Sequence, residues 1–547
     1  MLFRTFAAAL LLTGSALAAD APSARPQPSD PTSPARVQAH LEFLASDLLE
    51  GRDTGSRGHE IAANYVVSQF RQMGLKPAGE NGTWYQWVPF RRATNKVETF
   101  KATLDGQAVT AADIAVRPSV TDKSRDLTAG FVFAGYGIDD PQLKMHDYAG
   151  VNAKGKIAVV FRGTPKGLSS DIAAHLASTK DAMAAKMGAI GIIEISSANP
   201  TPREIAQTNL AAAARRPTID WVDSKGKAGT SLAEGLQARF SISPAFAEKL
   251  FAGSGRTLAQ VRAEAAQKTV RAIALKPVLT MHVESEWADF KSPEVVAVLP
   301  GSDPKLKAEH VAIMGHLDHV GMKPNPKPGE DAIYNGALDN GAGVATIIEA
   351  AHAFTTSGKP PRRSVLFVIH TGEEKGLLGA DYFAAHPTVP LQSIVGGVDL
   401  DMPVPLYPFT DVVAFGGDHS TLAEAIAQAG KSMGIGVSPD PMPQEAIFTR
   451  SDHYRFVERG IPATLLFTGY ANGGKDKFEE FFAKNYHQVS DDLSLPIQWD
   501  SLARYAEFNY RIARQLADQE QRPLWYQGNY FGNLFAPGQT RAPAAKK

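Results

Sequence analysis

Histidines and carboxylates gather in short segments along the second half of the 547-residue chain. In order these are His316-Leu317-Asp318-His319, Gly336-Ala337-Leu338-Asp339-Asn340-Gly341, Thr371-Gly372-Glu373-Glu374, Asp399-Leu400-Asp401-Met402, Arg450-Ser451-Asp452-His453 and Tyr486-His487. Imidazole nitrogen and carboxylate oxygen suit zinc or another borderline divalent cation. The chain has no cysteine, so disulfides, thiolate nucleophiles and sulfur-held metals are excluded. More than three carboxylates around a single cation would leave negative charge uncompensated. Two cations sharing a bridging carboxylate would balance it, and paired metals are a known hydrolytic device. The one G-x-S-x-G run, Gly430-Lys431-Ser432-Met433-Gly434, closes the helical pattern Thr421–Met433 instead of turning a strand into a helix, so it is not the elbow of a serine nucleophile.

These segments need elements that bring them together. Short apolar runs of buried-strand length precede most of them: Val295–Leu299, His310–His316, Ser364–His370, Ile394–Asp401, Asp411–Phe415 and Ala463–Phe467. Helical patterns at Ala342–Phe354, Thr421–Met433 and Asp500–Leu516 separate the runs. Such alternation predicts an α/β fold with a mixed, mostly parallel sheet flanked by helices. In such sheets ligands bind beyond the carboxyl ends of the strands, where the His and carboxylate segments fall. Upstream, Val37, Leu41, Leu44 and Leu48 recur at helical spacing. A second helix is predicted from Gly58 to Met73, with Ile61, Tyr65, Val66, Phe70 and Met73 on its apolar side. Between the two regions short β-rich runs (Phe131–Ile138, Lys156–Arg162, Ala189–Ile195) surround an Ala-rich helical stretch, Asp171–Met187. They predict a smaller β-rich unit. His282, His352 and His370 sit in apolar runs and read as core histidines, and His319 and Asp399 read as core residues or supports of the ligands.

The length exceeds a single core, which stops growing near roughly 250–300 residues. Apolar residues make up 44% and charged residues 21%, so the chain is globular. Its net charge of −1, with no basic block, argues against a nucleic-acid partner. The N-terminus reads as a secretory signal: Arg4, an apolar run from Phe6 to Leu17, and Ala16-Leu17-Ala18 as the cleavage site. Residues 1–18 are therefore expected to be removed, 19–35 to form a Pro-rich linker, and the mature protein to be secreted or periplasmic. No membrane anchor is expected in the mature form, because no Cys follows the cut and no later stretch is long and apolar enough to span a bilayer.

The ordered set His316-x-Asp318, Gly-Ala-Leu-Asp339-Asn, Glu373-Glu374, Asp-Leu-Asp401-Met, Ser-Asp452-His453 and Tyr486-His487 resembles the di-zinc aminopeptidase family, which has glutamate carboxypeptidase relatives. Glu50-Gly51-Arg52 and the following Thr-Gly-Ser-Arg-Gly resemble its N-terminal segment. Gly135-Tyr136-Gly137, Lys154-Gly155-Lys156 and Gly188-Ala189 resemble an inserted protease-associated domain. The resemblance implies a discontinuous peptidase domain over 36–120 and 281–520 and the insertion over 121–280. The Pro/Gly-rich segment 521–547, which ends in Ala-Ala-Lys-Lys, is expected to be a loose C-terminal tail. It implies two zinc ions per chain: His316 and Asp401 on the first, Glu374 and His487 on the second, Asp339 bridging both. It implies Glu373 as general base, Tyr486 holding the developing oxyanion, and Asp318 hydrogen-bonded to His316 to fix its tautomer. A cis Asp339–Asn340 bond is also implied. Asp452 and His453 are left between a supporting role and substrate contact. The activity implied is removal of N-terminal residues from peptides with a free N-terminus. The alternatives are a zinc carboxypeptidase for acidic C-termini, a single-metal acyltransferase of the glutaminyl-cyclase kind, and a non-catalytic binding protein.

Overall fold

The apolar runs after residue 291 become neighbouring strands of one sheet. The structure is a computed structural model and describes residues 31–197, 209–229 and 233–544. The expected signal peptide and most of the expected linker lie outside the described residues. The strands that matter for the site are β1 (Ile273–Leu299), β2 (His310–His316), β3 (Ser364–His370), β4 (Ile394–Asp399), β5 (Asp411–Phe415), β6 (Gly436–Ser438) and β7 (Ala463–Thr468). They lie in the order β6-β5-β7-β4-β2-β3-β1. β2, β3, β4 and β7 run parallel to one another, whereas β5 is antiparallel to β7 and β1 is antiparallel to β3. Every residue of β3, β4 and β7 is buried. Burial on both faces explains why these strands read as continuous apolar runs rather than as alternating ones.

Helices cover the sheet. α1 (Pro34–Leu44), α2 (Arg57–Gln72), α3 (Ala342–Thr356) and α4 (Trp499–Asp518) contribute to the largest apolar core, with α3 packed against both α1 and α4. α3 is apolar almost all round because it is enclosed. Its one acid, the fully buried Glu349, receives Arg36 Nε at 2.8 Å, Arg36 Nη2 at 3.0 Å and the Ser33 amide at 2.9 Å, which ties α1 down. α1 ends at Leu44 and a tight turn follows, so Leu48 does not continue the apolar face and is 82% exposed. In α2 the buried face is Ala62, Ala63, Val66, Val67 and Phe70, rotated from the expected one, and Ile61 points toward solvent.

The sheet continues past β1 through the strands Ser124–Phe133, Ile157–Phe161, Gly191–Ile195 and Ala238–Ile242, the last three parallel additions to the first. A second apolar core, drawn from residues 102–283, packs on this half. Both halves are joined by a long ribbon in which Tyr85–Leu104 pairs antiparallel with β1, from Leu279↔Leu104 to Val295↔Tyr85. The position 280/281 falls inside β1, so the β-rich stretch meets the rest of the chain along a continuous strand. His282 lies on this ribbon, partly exposed, with its Nδ1 2.8 Å from Asp126; it is a surface residue, because its neighbours alternate toward solvent. The Pro/Gly-rich stretch after 521 is not loose. It carries a helix, α5 (Tyr530–Phe535), and buries Trp525 and Phe531. Trp525 Nε1 donates to the Gly460 carbonyl at 3.0 Å, and Tyr530 donates to Asp140.

His175 is buried among Tyr454, Tyr530, Phe531 and Phe535, with Nδ1 2.5 Å from the Tyr454 hydroxyl. Burial lowers its pKa to about 4, and burial likewise lowers His40 to about 4. Between about 4 and the ordinary 6.5 the unfolded chain binds more protons than the folded one. The stability from neutral His175 is therefore complete above about pH 6.5 and is lost as pH falls toward 4. The loss amounts to roughly 3 kcal/mol per histidine. Urea unfolding followed from pH 7 to pH 4 is expected to show a falling midpoint, and His175→Gln is expected to flatten part of that fall. An unchanged slope in the variant would remove His175 as the cause.

Candidate metal centre

Because β2, β3 and β4 are parallel, their carboxyl ends open on one edge of the sheet, and the expected site residues converge there. His316 ends β2, Glu373 and Glu374 follow β3, and Asp401 follows β4. Asp339 comes from an irregular turn, Ala337–Gly341, that leads into α3, and its peptide bond to Asn340 is cis. His487 follows the helix Gly474–Lys484 and has a left-handed backbone, φ 56°. His316, Asp339, Glu374 and Asp401 are almost fully buried.

Two groupings form around Asp339. On one side His316 Nε2 lies 3.2 Å from Asp401 Oδ1 and 3.5 Å from Asp339 Oδ1. On the other, His487 Nε2 lies 3.1 Å from both Asp339 Oδ2 and Glu374 Oε2. Asp339 thus turns a different oxygen to each histidine. Asp339 Oδ2 and His487 Nε2 have no hydrogen-bond partner despite their approach. Two ligands of one tetrahedral cation with bonds of about 2.0–2.1 Å sit about 3.3 Å apart. The spacing and the N/O donor set fit a metal at each grouping, and the unpartnered atoms add to this at the His487 grouping. The electrostatics agree. Burial works against a charged imidazole, yet Asp339 and Glu374 outweigh it and lift His487 to about 10; Asp401, Glu373 and Asp339 likewise hold His316 well above its ordinary value. Burial, reinforced by Glu374, Asp401 and Asp452, holds Glu373 well above the usual carboxylate range. The pocket carries more negative charge than its own side chains offset.

Asp318 hydrogen-bonds His316 as expected, but through its backbone carbonyl and not its carboxylate. Its carboxylate is 4.0 Å from His316 Nδ1, which instead donates to the Asp318 backbone carbonyl at 3.0 Å. The chain turns directly after β2, so the carbonyl two residues on reaches the ring. The carboxylate goes to the loop after β3, accepting the Glu373 amide at 3.2 Å, the Glu374 amide at 3.4 Å and the Thr54 hydroxyl at 2.9 Å. Tyr486 stacks on His487, with ring centres 3.9 Å apart, and its hydroxyl accepts from Arg450 Nη2 at 3.2 Å. Burial raises the Tyr486 phenol, so its O–H stays available to donate. Asp452 and His453 are fully buried behind the site, with the His453 amide donating to Asp399 at 3.0 Å. His453 thereby supports the β4 end, and both side chains are closed off from solvent.

Ser451, Asn340 and Asp491 are supports that spacing alone did not single out, and His319 is one that it did. The Ser451 hydroxyl lies 2.7 Å from Asp401 Oδ2 and 2.8 Å from Asp399 Oδ2, which leaves Asp401 Oδ1 toward His316. Asn340 Nδ2 donates to the Leu400 carbonyl at 3.0 Å and to the His316 carbonyl at 3.3 Å, and Asn340 Oδ1 accepts the Met402 amide. Asp491 accepts the Leu338 and Asp339 amides at 2.9 and 3.0 Å. His319 Nδ1 reaches Glu374 Oε1 at 2.7 Å. All four stand inside or beside the segments that drew attention in the sequence.

Residues 294–513 match the model of peptidase family M28. That segment belongs to peptidase family M28. The M28 segment holds every residue of the two groupings. The chain is also similar to a probable leucine aminopeptidase 2 from Aspergillus fumigatus, 23% identical over 471 residues, covering 83% of this chain and 77% of that protein. A vacuolar membrane protease from Candida glabrata is 34% identical over 100 residues, 18% of this chain and 9% of that protein. Among solved structures, an aminopeptidase from Aneurinibacillus sp. strain AM-1 covers 90% of this chain and 95% of its own, with 19% identity and a TM-score of 0.49.

The M28 groupings rest on Arg52. Its guanidinium is buried and donates to the carbonyls of Leu44, Leu317 (2.9 Å), Asn335 (2.5 Å) and Gly336 (2.9 Å). It thereby fixes both the turn after β2 and the turn before Asp339. Arg52→Met is expected to destabilise the protein by about 3–5 kcal/mol, read from the urea midpoint, because buried carbonyls lose their donor and buried carboxylates lose a cation. A change below about 1 kcal/mol would show that the turns hold without it.

Proposed function

We propose that this chain is an exported di-zinc metallo-aminopeptidase that removes N-terminal residues from peptides. The observation that carries the reading is Asp339, which presents separate oxygens to His316 and to His487 in the manner of a bridging ligand. In this reading His316 and Asp401 hold one zinc, His487 and Glu374 the other, and Asp339 both. The bound cations supply Lewis acidity and a nucleophilic water at neutral pH. Glu373 leaves its carboxylate beside the His316 grouping, with Oε2 3.9 Å from His316 Nε2. It acts as the base that takes a proton from water and passes it to the departing amine. The Glu373 and Glu374 amides, each donating to an oxygen of the Asp318 carboxylate, keep the two side chains pointing apart, so that one serves as base while the other serves as ligand. Tyr486 O–H, oriented by Arg450, donates to the oxygen that gains charge as the carbonyl is attacked. The surplus of carboxylates also favours a substrate that brings an ammonium group.

The narrow recess beside Glu373 has largely apolar walls, which favours an apolar first residue over a charged one. Met402, Ile447, Leu465, Phe467 and Phe482 form its wall. Arg450 is the one cation among the described residues that line it, and Glu445 lies 3.3 Å from Arg450 Nη1. That leaves little free positive charge for an acidic C-terminal residue, which weighs against the carboxypeptidase alternative. In the same reading the second apolar core is the protease-associated insertion, and export follows from the N-terminal sequence.

The test is mass spectrometry of a mixed peptide pool, half with blocked N-termini, after incubation with the zinc-loaded protein. Stepwise loss from free N-termini alone is expected, fastest for Leu, Met and Phe and slow for Asp, Glu and Lys. C-terminal loss or a cyclised product would overturn the reading. In a second experiment Glu373→Gln is expected to keep its zinc, measured by elemental analysis, while turnover drops about 10²–10⁴-fold. Full activity in that variant would remove Glu373 as the base.

A further inference from the structure

His319 has no place in the reading above, yet it is fully buried inside the site. The two oxygens of Glu374 meet two different histidines. Oε2 lies 3.1 Å from His487 Nε2, close to the spacing of two ligands on one cation. Oε1 lies 2.7 Å from His319 Nδ1, a hydrogen-bond distance shorter than that spacing. His319 Nδ1 is the donor, and Nε2 has no partner.

The ring is held in a slot made for it. The His319 amide donates to the Arg52 carbonyl at 3.2 Å, and its backbone bridges Asp53 in parallel. Gly336, at φ 58°, faces the ring: a Cβ there would come within 2.5 Å of His319 Cγ and 2.2 Å of the Asp339 carbonyl oxygen. Only glycine leaves that room, so the turn that delivers Asp339 also shapes the space for His319.

We propose that His319 is a positioning residue that occupies Glu374 Oε1 and so restricts Glu374 to a single coordinating oxygen at the second metal position. The inference rests on the two-metal reading. A carboxylate with both oxygens free can take a cation through one or both. With Oε1 engaged, only Oε2 is presented beside His487 and Asp339, and a coordination place stays open, as catalytic sites require. The same hydrogen bond keeps Glu374 from exchanging places with its neighbour Glu373.

The test compares wild type with His319→Leu, His319→Ala and His319→Asn. Asn sets an N–H where the imidazole Nδ1 stood but is a poor metal ligand. Metal-free protein is titrated with zinc against a chromophoric chelator, which reads the two affinities separately. Cobalt(II) replaces zinc for visible absorption. Wild type is expected to bind two ions. His319→Leu and His319→Ala are expected to weaken the second by about 10–100-fold, to leave the first unchanged and to shift the cobalt absorption. His319→Asn is expected to recover most of the affinity and the wild-type spectrum. Unchanged second-site affinity and spectrum in the Leu and Ala variants would overturn the proposal. So would an equal loss in all three, which would make the imidazole a ligand itself or mere packing. Should Leu not fold, Ala against Asn carries the same comparison. Fewer than two ions on wild type would overturn the two-metal reading and this inference with it.

Discussion

Carboxylates taken out of water repel one another unless something positive stands among them. Asp318, Asp339, Asp399, Asp401, Asp452 and Asp491 all converge within the buried end of this sheet, and Glu373 and Glu374 stand with them. Around this surplus the surrounding structure is arranged. Arg52, buried with its pKa lowered to about 10 by desolvation, is drawn up by Asp491, Asp339, Asp318 and Glu374. Backbone amides of Leu338, Asp339, Glu373 and Glu374 point at Asp491 and Asp318. What these leave uncompensated is the negative charge that two divalent cations would meet. Removing a single contributor does not simply subtract one contact; it leaves the remaining charges buried and unpaired.

The groupings divide labour between neighbours in sequence. Glu373 and Glu374 are adjacent, yet one faces His316 and the other His487 and His319. Asp399 and Asp401 lie two apart at the end of β4, yet Asp399 is turned to Ser451 and the His453 amide while Asp401 offers an oxygen to His316. Ordinary hydrogen bonds decide which acid is free and which is engaged. Specific chemistry at this edge is therefore a property of the supports as much as of the residues that would touch a substrate.

Much of this was legible in the sequence. His310–His316 and Ser364–His370 could be read to the residue because a strand buried on both faces is an uninterrupted apolar run. The clusters after those strands marked the site because parallel strands must open on the same edge. What could not be read depended on partners distant in sequence. The contact between the Asp318 carboxylate and the loop after β3 crosses from residue 318 to residues 373 and 374. The continuous ribbon Tyr85–Leu104 and β1 is invisible locally, because each strand is half-exposed and made regular only by the other. The docked C-terminal segment was hidden for a related reason: Trp525 and Phe531 sit in a composition rich in Pro and Gly that predicts no core of its own.

The ribbon has a consequence for how the chain comes to be folded. β1 is the strand against which β3, bearer of Glu373 and Glu374, is laid, and β1 itself is registered by Tyr85–Leu104. Tyr85 must wait for Val295, while the whole β-rich stretch between them is made. Contacts that close over so long a loop form late and slowly. A chain emerging from its N-terminus would therefore assemble the second core before the sheet edge that carries the His and carboxylate groupings exists, so that this edge is among the last things the molecule acquires.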